Sequence, residues 1–143
     1  MTWGIGLVVG SHWAAWCLVD GWKAAGRDIG WAESIALEIA VLWALASGLT
    51  DAELVIRGDN ISVICAFQKG HSQNLQRNDS IRRITSSLVP SNVIIKPIHV
   101  ASEDNKADRI SRGTFGSLSD ILPCIFSLPA KISAFFNHVN LQP

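Results

Sequence analysis

Short apolar runs, each cut by glycine, proline or small polar residues, follow one another along this chain, and their period predicts the elements. The run WGIGLVVG (3–10) ends in glycine, and WAAWCLV (13–19) resumes after a brief polar break, so the two predict a β-hairpin. Residues 20–30 carry three glycines and predict a loop. In WAESIALEIAVLWALASG (31–48), Ala36, Leu37, Ala40, Val41 and Ala44 follow Glu33 at offsets that share one face of an α-helix, which Gly48 closes. AELVIRG (52–58) reads as a strand, NISVICAFQKG (60–70) as a short helix, and NLQRNDSIRRITSSLV (74–89) as a helix stopped by Pro90. NVIIKPIHV (92–100) reads as a strand in which Pro97 demands an edge position or the strand's end. EDNKADRISRG (103–113) predicts a loop and a short helix. The order β-β-α-β-α-α-β-α is that of a mixed α/β domain over residues 1–113. Residues 114–143, with Asp120 and Lys131 as their only Asp, Glu, Lys or Arg, form a tail that either packs on the domain or links it to something else.

Composition narrows the class without naming it. A chain of 143 residues with 48% hydrophobic residues is long and apolar enough for one folded domain with a core. Twelve basic residues balance twelve acidic ones, so any nucleic-acid surface has to come from local charge. Cys17, Cys65 and Cys124 are odd in number and widely spaced, and read as reduced, buried thiols of an intracellular protein. The N-terminus lacks the basic region of a signal peptide. The late apolar stretch ILPCIFSLPAKISAFF is interrupted by Pro123, Pro129 and Lys131 and is too short to span a bilayer. The expectation is a soluble protein with no membrane partner.

The candidate chemistry lies in carboxylates. Glu33 falls in the first turn of the long helix, on its sheet-facing edge, whereas Glu38 is rotated away by about 140° and is expected to face solvent. Asp59 stands where the strand ELVIRG meets the next helix, and Asp108 near the start of the last short helix. Each has an ordinary alternative: a helix-start charge, a helix cap, or a surface acid paired with a neighbouring arginine. Taken together, the three can converge at one end of a sheet. There, mutual repulsion would call for divalent cations such as Mg²⁺ or Mn²⁺. Hard oxygen ligands of this kind support two-metal phosphodiester hydrolysis, with ions about 3.5–4 Å apart.

WAESIALEIAVLWAL, ELVIRGDN and HVASEDNKADRISRG, in this order and spacing, resemble the ribonuclease H domain of retroelement reverse transcriptases. The ending with Asn105, Ala107, Asp108, Ser111 and Arg112 is similar to the form found in retroelement and pararetroviral polyproteins. The resemblance covers about residues 3–113. It implies a ribonuclease H-like mixed sheet with flanking helices, acting on the RNA strand of RNA–DNA hybrids with two Mg²⁺ or Mn²⁺ ions. It assigns Glu33 and Asp59 to the ion that steadies the leaving group, and Asp108 to the ion that activates water. The family's fourth carboxylate lies on a first strand whose end would fall at Met1–Thr2, so that central strand is expected to be missing here and activity to be impaired. The remaining alternatives are a non-catalytic nucleic-acid-binding remnant and a purely structural fragment.

Local charge supplies a candidate binding surface. Between 67 and 83 the chain shows Gln68, Lys69, His71, Gln73, Gln76, Arg77, Arg82 and Arg83 against Asp79 alone. Asn60, Lys69, Arg77, Arg82 and Arg83 are the expected nucleic-acid contacts, following a phosphate backbone without reading sequence. The six tryptophans, Trp3, Trp13, Trp16, Trp22, Trp31 and Trp43, are expected in the core more than in base stacking, with Trp13 and Trp16 on opposite sheet faces. His99 ends the last strand and comes too early for the family's product-release histidine.

Overall fold

The computed structural model describes residues 4–123 and 125–139, so Trp3 and Cys124 lie outside the described residues. The chain forms two compact units, Met1–Trp22 with Lys106–Pro143, and Lys23–Asn105.

The first unit is built on the hairpin. Strands β1 (Gly4–Val9) and β2 (His12–Leu18) pair antiparallel from Gly4↔Cys17 to Val9↔His12. The two-residue connection has Gly10 at φ +62, the backbone that a tight hairpin turn demands at its first position. The short helix α4 (Ala107–Ser111) lies on this hairpin at Gly6. A Cβ there would fall 2.6 Å from the Ala107 carbonyl oxygen and 2.8 Å from Ile110 Cβ, so only glycine admits the helix. Trp13, Ala15 and Ile110 form the buried core, flanked by Val8, Phe115, Ile121 and Val139. The tail packs rather than merely linking. Phe115 stacks on Trp13 with ring centroids 4.9 Å apart, Trp13 Nε1 donates to the Ser117 carbonyl at 2.8 Å, and the Leu122 amide donates to the Trp13 carbonyl at 2.7 Å. Beyond a further short helix, α5 (Ala130–Ser133), a three-residue strand, β5 (Phe136–His138), pairs antiparallel with the free edge of β2.

The second unit contains α1 (Ile29–Ala46), β3 (Ala52–Gly58), α2 (Ile61–Lys69), α3 (Leu75–Leu88) and β4 (Val93–His99). Helix α1 begins two residues earlier than its apolar period suggests, because the Asp28 carboxylate accepts the Trp31 amide at 2.8 Å and caps it. At 18 residues α1 has the length and apolar composition of a membrane-crossing helix, and in the fold it is a core helix. It is buried on more than one side: Trp31, Ile35, Ile39 and Val41 are all enclosed. Strands β3 and β4 pair in parallel from Ala52↔Val93 to Gly58↔His99, with α2 and α3 forming the crossover between them. Leu37 and Val41 of α1 share one core with Ile56, Val63, Ile64, Phe67, Ile81, Ile84, Leu88 and Val93. Pro97 is accommodated because β4 is an edge strand.

The protein is therefore mixed α/β, with antiparallel and parallel strands and flanking helices. Among the described residues the strands form two sheets, β1-β2-β5 and β3-β4, and β1 and β3 each keep an unpaired edge.

Candidate functional site

Parallel pairing brings the C-terminal ends of β3 and β4 to the same side of the second unit, the side of a parallel α/β sheet on which ligands bind. Asp59 follows the last residue of β3 there, and His99 is the last residue of β4. The Val100 amide donates to the Gly58 carbonyl at 2.9 Å, which extends the ladder past both strand ends. His99 Nε2 lies 3.3 Å from the Asp59 carbonyl oxygen.

The cap reading of Asp59 fails. Asn60 caps α2: its Oδ1 accepts the Val63 amide at 3.2 Å and the Ser62 hydroxyl at 2.9 Å. That leaves the half-buried Asp59 carboxylate with no hydrogen bond or ion pair among the described residues. An acid with no internal partner, at the C-terminal end of a parallel strand pair, is free to take an external cation. Glu33, also half-buried, lies one helical turn before Leu37 on α1. Leu37 shares its cluster with Ile56, three residues before Asp59.

Asp108 belongs to the other unit. Its side chain is 24% exposed and pairs with Arg112 at 3.3 Å across one turn of α4, while Arg112 itself is largely exposed. The neighbouring-arginine alternative is thus realised, and a pair so open to water contributes little. Glu33 and Asp59 fall in one unit and Asp108 in the other. Among the described residues, no group of three or more His, Cys, Asp or Glu side chains is arranged to hold a metal ion.

Glu38 overturns its sequence expectation. Rather than facing solvent, it is 1% exposed. Arg83 of α3 grips it with two hydrogen bonds, Nε to Oε2 at 2.8 Å and Nη2 to Oε1 at 2.9 Å, and the Ser80 hydroxyl donates to Oε1 at 2.8 Å. The rotation by five helical positions is real, but α3 covers the face that it reaches. A helix apolar on nearly all sides was the available signal, since a carboxylate inside such a helix has to be paired.

That pairing changes the basic surface. Arg83 is committed to Glu38, and Arg77 is bound to Asp28 at 3.2 Å. Partial burial pushes the Asp28 carboxyl up, but the Trp31 amide and the Arg77 guanidinium outweigh it and hold the group below its ordinary value. Gln76 and Asn74 donate to the Ala25 and Gly26 carbonyls, so the start of α3 fastens the loop before α1. Of the expected contacts, Lys69 and Arg82 remain exposed, with His71 and Gln73 beside them in the chain.

The described tryptophans serve the fold: Trp13, Trp16, Trp22 and Trp31 are buried and Trp43 half-buried. Cys17 and Cys65 are free, half-buried thiols, and burial raises the Cys17 pKa. Comparison with known proteins finds no matching family model, no matching curated protein and no matching solved structure.

Proposed function

We propose that this chain is a ribonuclease H-like domain of a retroelement polyprotein, descended from enzymes that hydrolyse the RNA strand of RNA–DNA hybrids. The observation that carries the proposal is the unpartnered Asp59 carboxylate at the C-terminal end of the β3–β4 pair, beside His99 and before the Asn60 cap. The element order and the three carboxylate motifs support it further. Glu33 and Asp59, both in the second unit, would hold a Mg²⁺ or Mn²⁺ ion. Such ions supply Lewis-acid stabilisation of the phosphate and a water of lowered pKa. The protein's own part would be to hold the carboxylates, and with Lys69 and Arg82 to draw in a phosphate backbone.

One observation favours a second reading, a nucleic-acid-binding domain without catalysis. The described residues contain no ready group of three metal ligands, and Asp108 is engaged by Arg112. A labelled RNA–DNA hybrid separates the two under Mg²⁺ and Mn²⁺ titration. Weak cleavage that vanishes in Asp59→Asn supports the nuclease. Salt-sensitive binding without cleavage, weakened by Arg82→Ala, supports the binding domain. No binding at all would sink both.

A further inference from the structure

Asp20-Gly21 is the one place in the sequence where an aspartate or asparagine precedes glycine. The pair forms the centre of the turn that follows β2. The Trp22 amide donates to the Val19 carbonyl at 3.3 Å across it, and Gly21 stands at φ +80. That angle belongs to the third position of a type II turn, which glycine takes without strain. The central peptide of such a turn plays no part in the turn's own hydrogen bond.

Both residues are exposed. Among the described residues neither the Asp20 carboxylate nor the Gly21 amide has a hydrogen-bond partner, and a Cβ built on Gly21 would meet nothing within 4 Å. A carboxyl and the next backbone nitrogen are therefore left together in open solvent, with no side chain on the following residue to crowd them. Other aspartates that precede a small residue are held differently. Asp79 lies inside α3 and its neighbour Ser80 is enclosed, while the Asp51 carboxylate accepts the Asn92 amide at 2.9 Å and Ala52 already belongs to β3.

We propose that Asp20-Gly21 is a site of spontaneous covalent modification, where the aspartate closes to a succinimide and reopens as isoaspartate. The Gly21 nitrogen attacks Cγ of the protonated Asp20 carboxyl. A C–N bond forms, the C–OH bond breaks, and the amide proton leaves with the hydroxyl as water. Hydrolysis of the ring takes up one water at either carbonyl. Opening at Cγ restores aspartate; opening at the backbone carbonyl leaves the main chain running through Cγ, one carbon longer. The lengthened turn no longer fits the bond from the Trp22 amide to the Val19 carbonyl, and Trp22 is a buried side chain. The modification is independent of any nuclease role.

Storage of the full folded chain at mildly acidic pH, below its unfolding temperature, tests this when followed by peptide mapping. The peptide ending at Lys23 should yield one form lighter by a water and one isomer of unchanged mass. That isomer should accept a methyl group from S-adenosylmethionine through an isoaspartyl carboxyl methyltransferase. The rate should lie within about threefold of that of a synthetic peptide of residues 17–24, since the turn leaves the amide unsheltered. Asp20→Glu, which would need a six-membered ring, should abolish both products and leave the circular dichroism spectrum unaltered. Isomerisation at another aspartate first, products that persist in Asp20→Glu, or a folded-chain rate more than about tenfold below that of the peptide would overturn the proposal.

Discussion

A carboxylate enclosed among apolar side chains is costly unless donors meet it, and Glu38 is met by both the Arg83 guanidinium and the Ser80 hydroxyl. Arg83→Met should leave that charge buried and unpaired, and destabilise the fold by about 3–5 kcal/mol. Adding Glu38→Leu should restore most of the loss; urea unfolding followed by circular dichroism measures both. This pairing was illegible in the sequence because helical rotation says where a side chain points and not what covers it. Asp59 was legible, since the change from strand to helix period is written in its immediate neighbours. Its lack of a partner was not, because choosing between Asp59 and Asn60 as the cap needs the backbone. His138 supplies a second test. Burial lowers its pKa below the ordinary 6.5, and its Nε2 is buried with no hydrogen-bond partner among the described residues, beside the Trp16 ring at 5.1 Å. The unfolded chain takes up a proton near 6.5 while the folded one resists. This contribution to stability is therefore complete above that value and declines as pH falls below it. Thermal unfolding compared at about pH 7.5 and pH 5.5 should show the decline, and His138→Phe should reduce it.

Helices α1, α2 and α3 all start on a side-chain cap, from Asp28, Asn60 and Asn74. Asp28→Ala should cost about 1 kcal/mol through the lost cap, with a further loss from releasing Arg77. Because the Asp28 pKa is held below its ordinary 3.8, the stability it supplies is present above that value and is lost as pH falls through its folded pKa. Unfolding midpoints of the wild type and Asp28→Ala should therefore converge on acidification, in a window well below that of His138. Most elements were readable from local punctuation. Gly70 and Pro90 follow α2 and α3, and Pro97 marks β4 as an edge. The strand β5 was not readable, since three residues carry no period. What fixes it is pairing with β2 a long way back in the chain, and the same holds for the stacking of Phe115 on Trp13.

At the scale of the molecule, the mixed α/β class follows from the order of short strands and helices. The grouping into two units, one drawn from both ends of the chain, depends on contacts that no local pattern carries. Charge behaved similarly. A basic stretch that looks free in the sequence is partly consumed by Asp28 and Glu38, which leaves Lys69 and Arg82 exposed. The central claim is that Asp59 serves an external divalent ion. Substoichiometric Mn²⁺ added to isotope-labelled protein tests it by paramagnetic broadening of amide signals. The account predicts selective broadening of Gly58, Asp59, Asn60 and His99, with effects reaching Glu33, all abolished in Asp59→Asn. Broadening confined to exposed acids such as Glu103 and Asp104, or unchanged in Asp59→Asn, would contradict it.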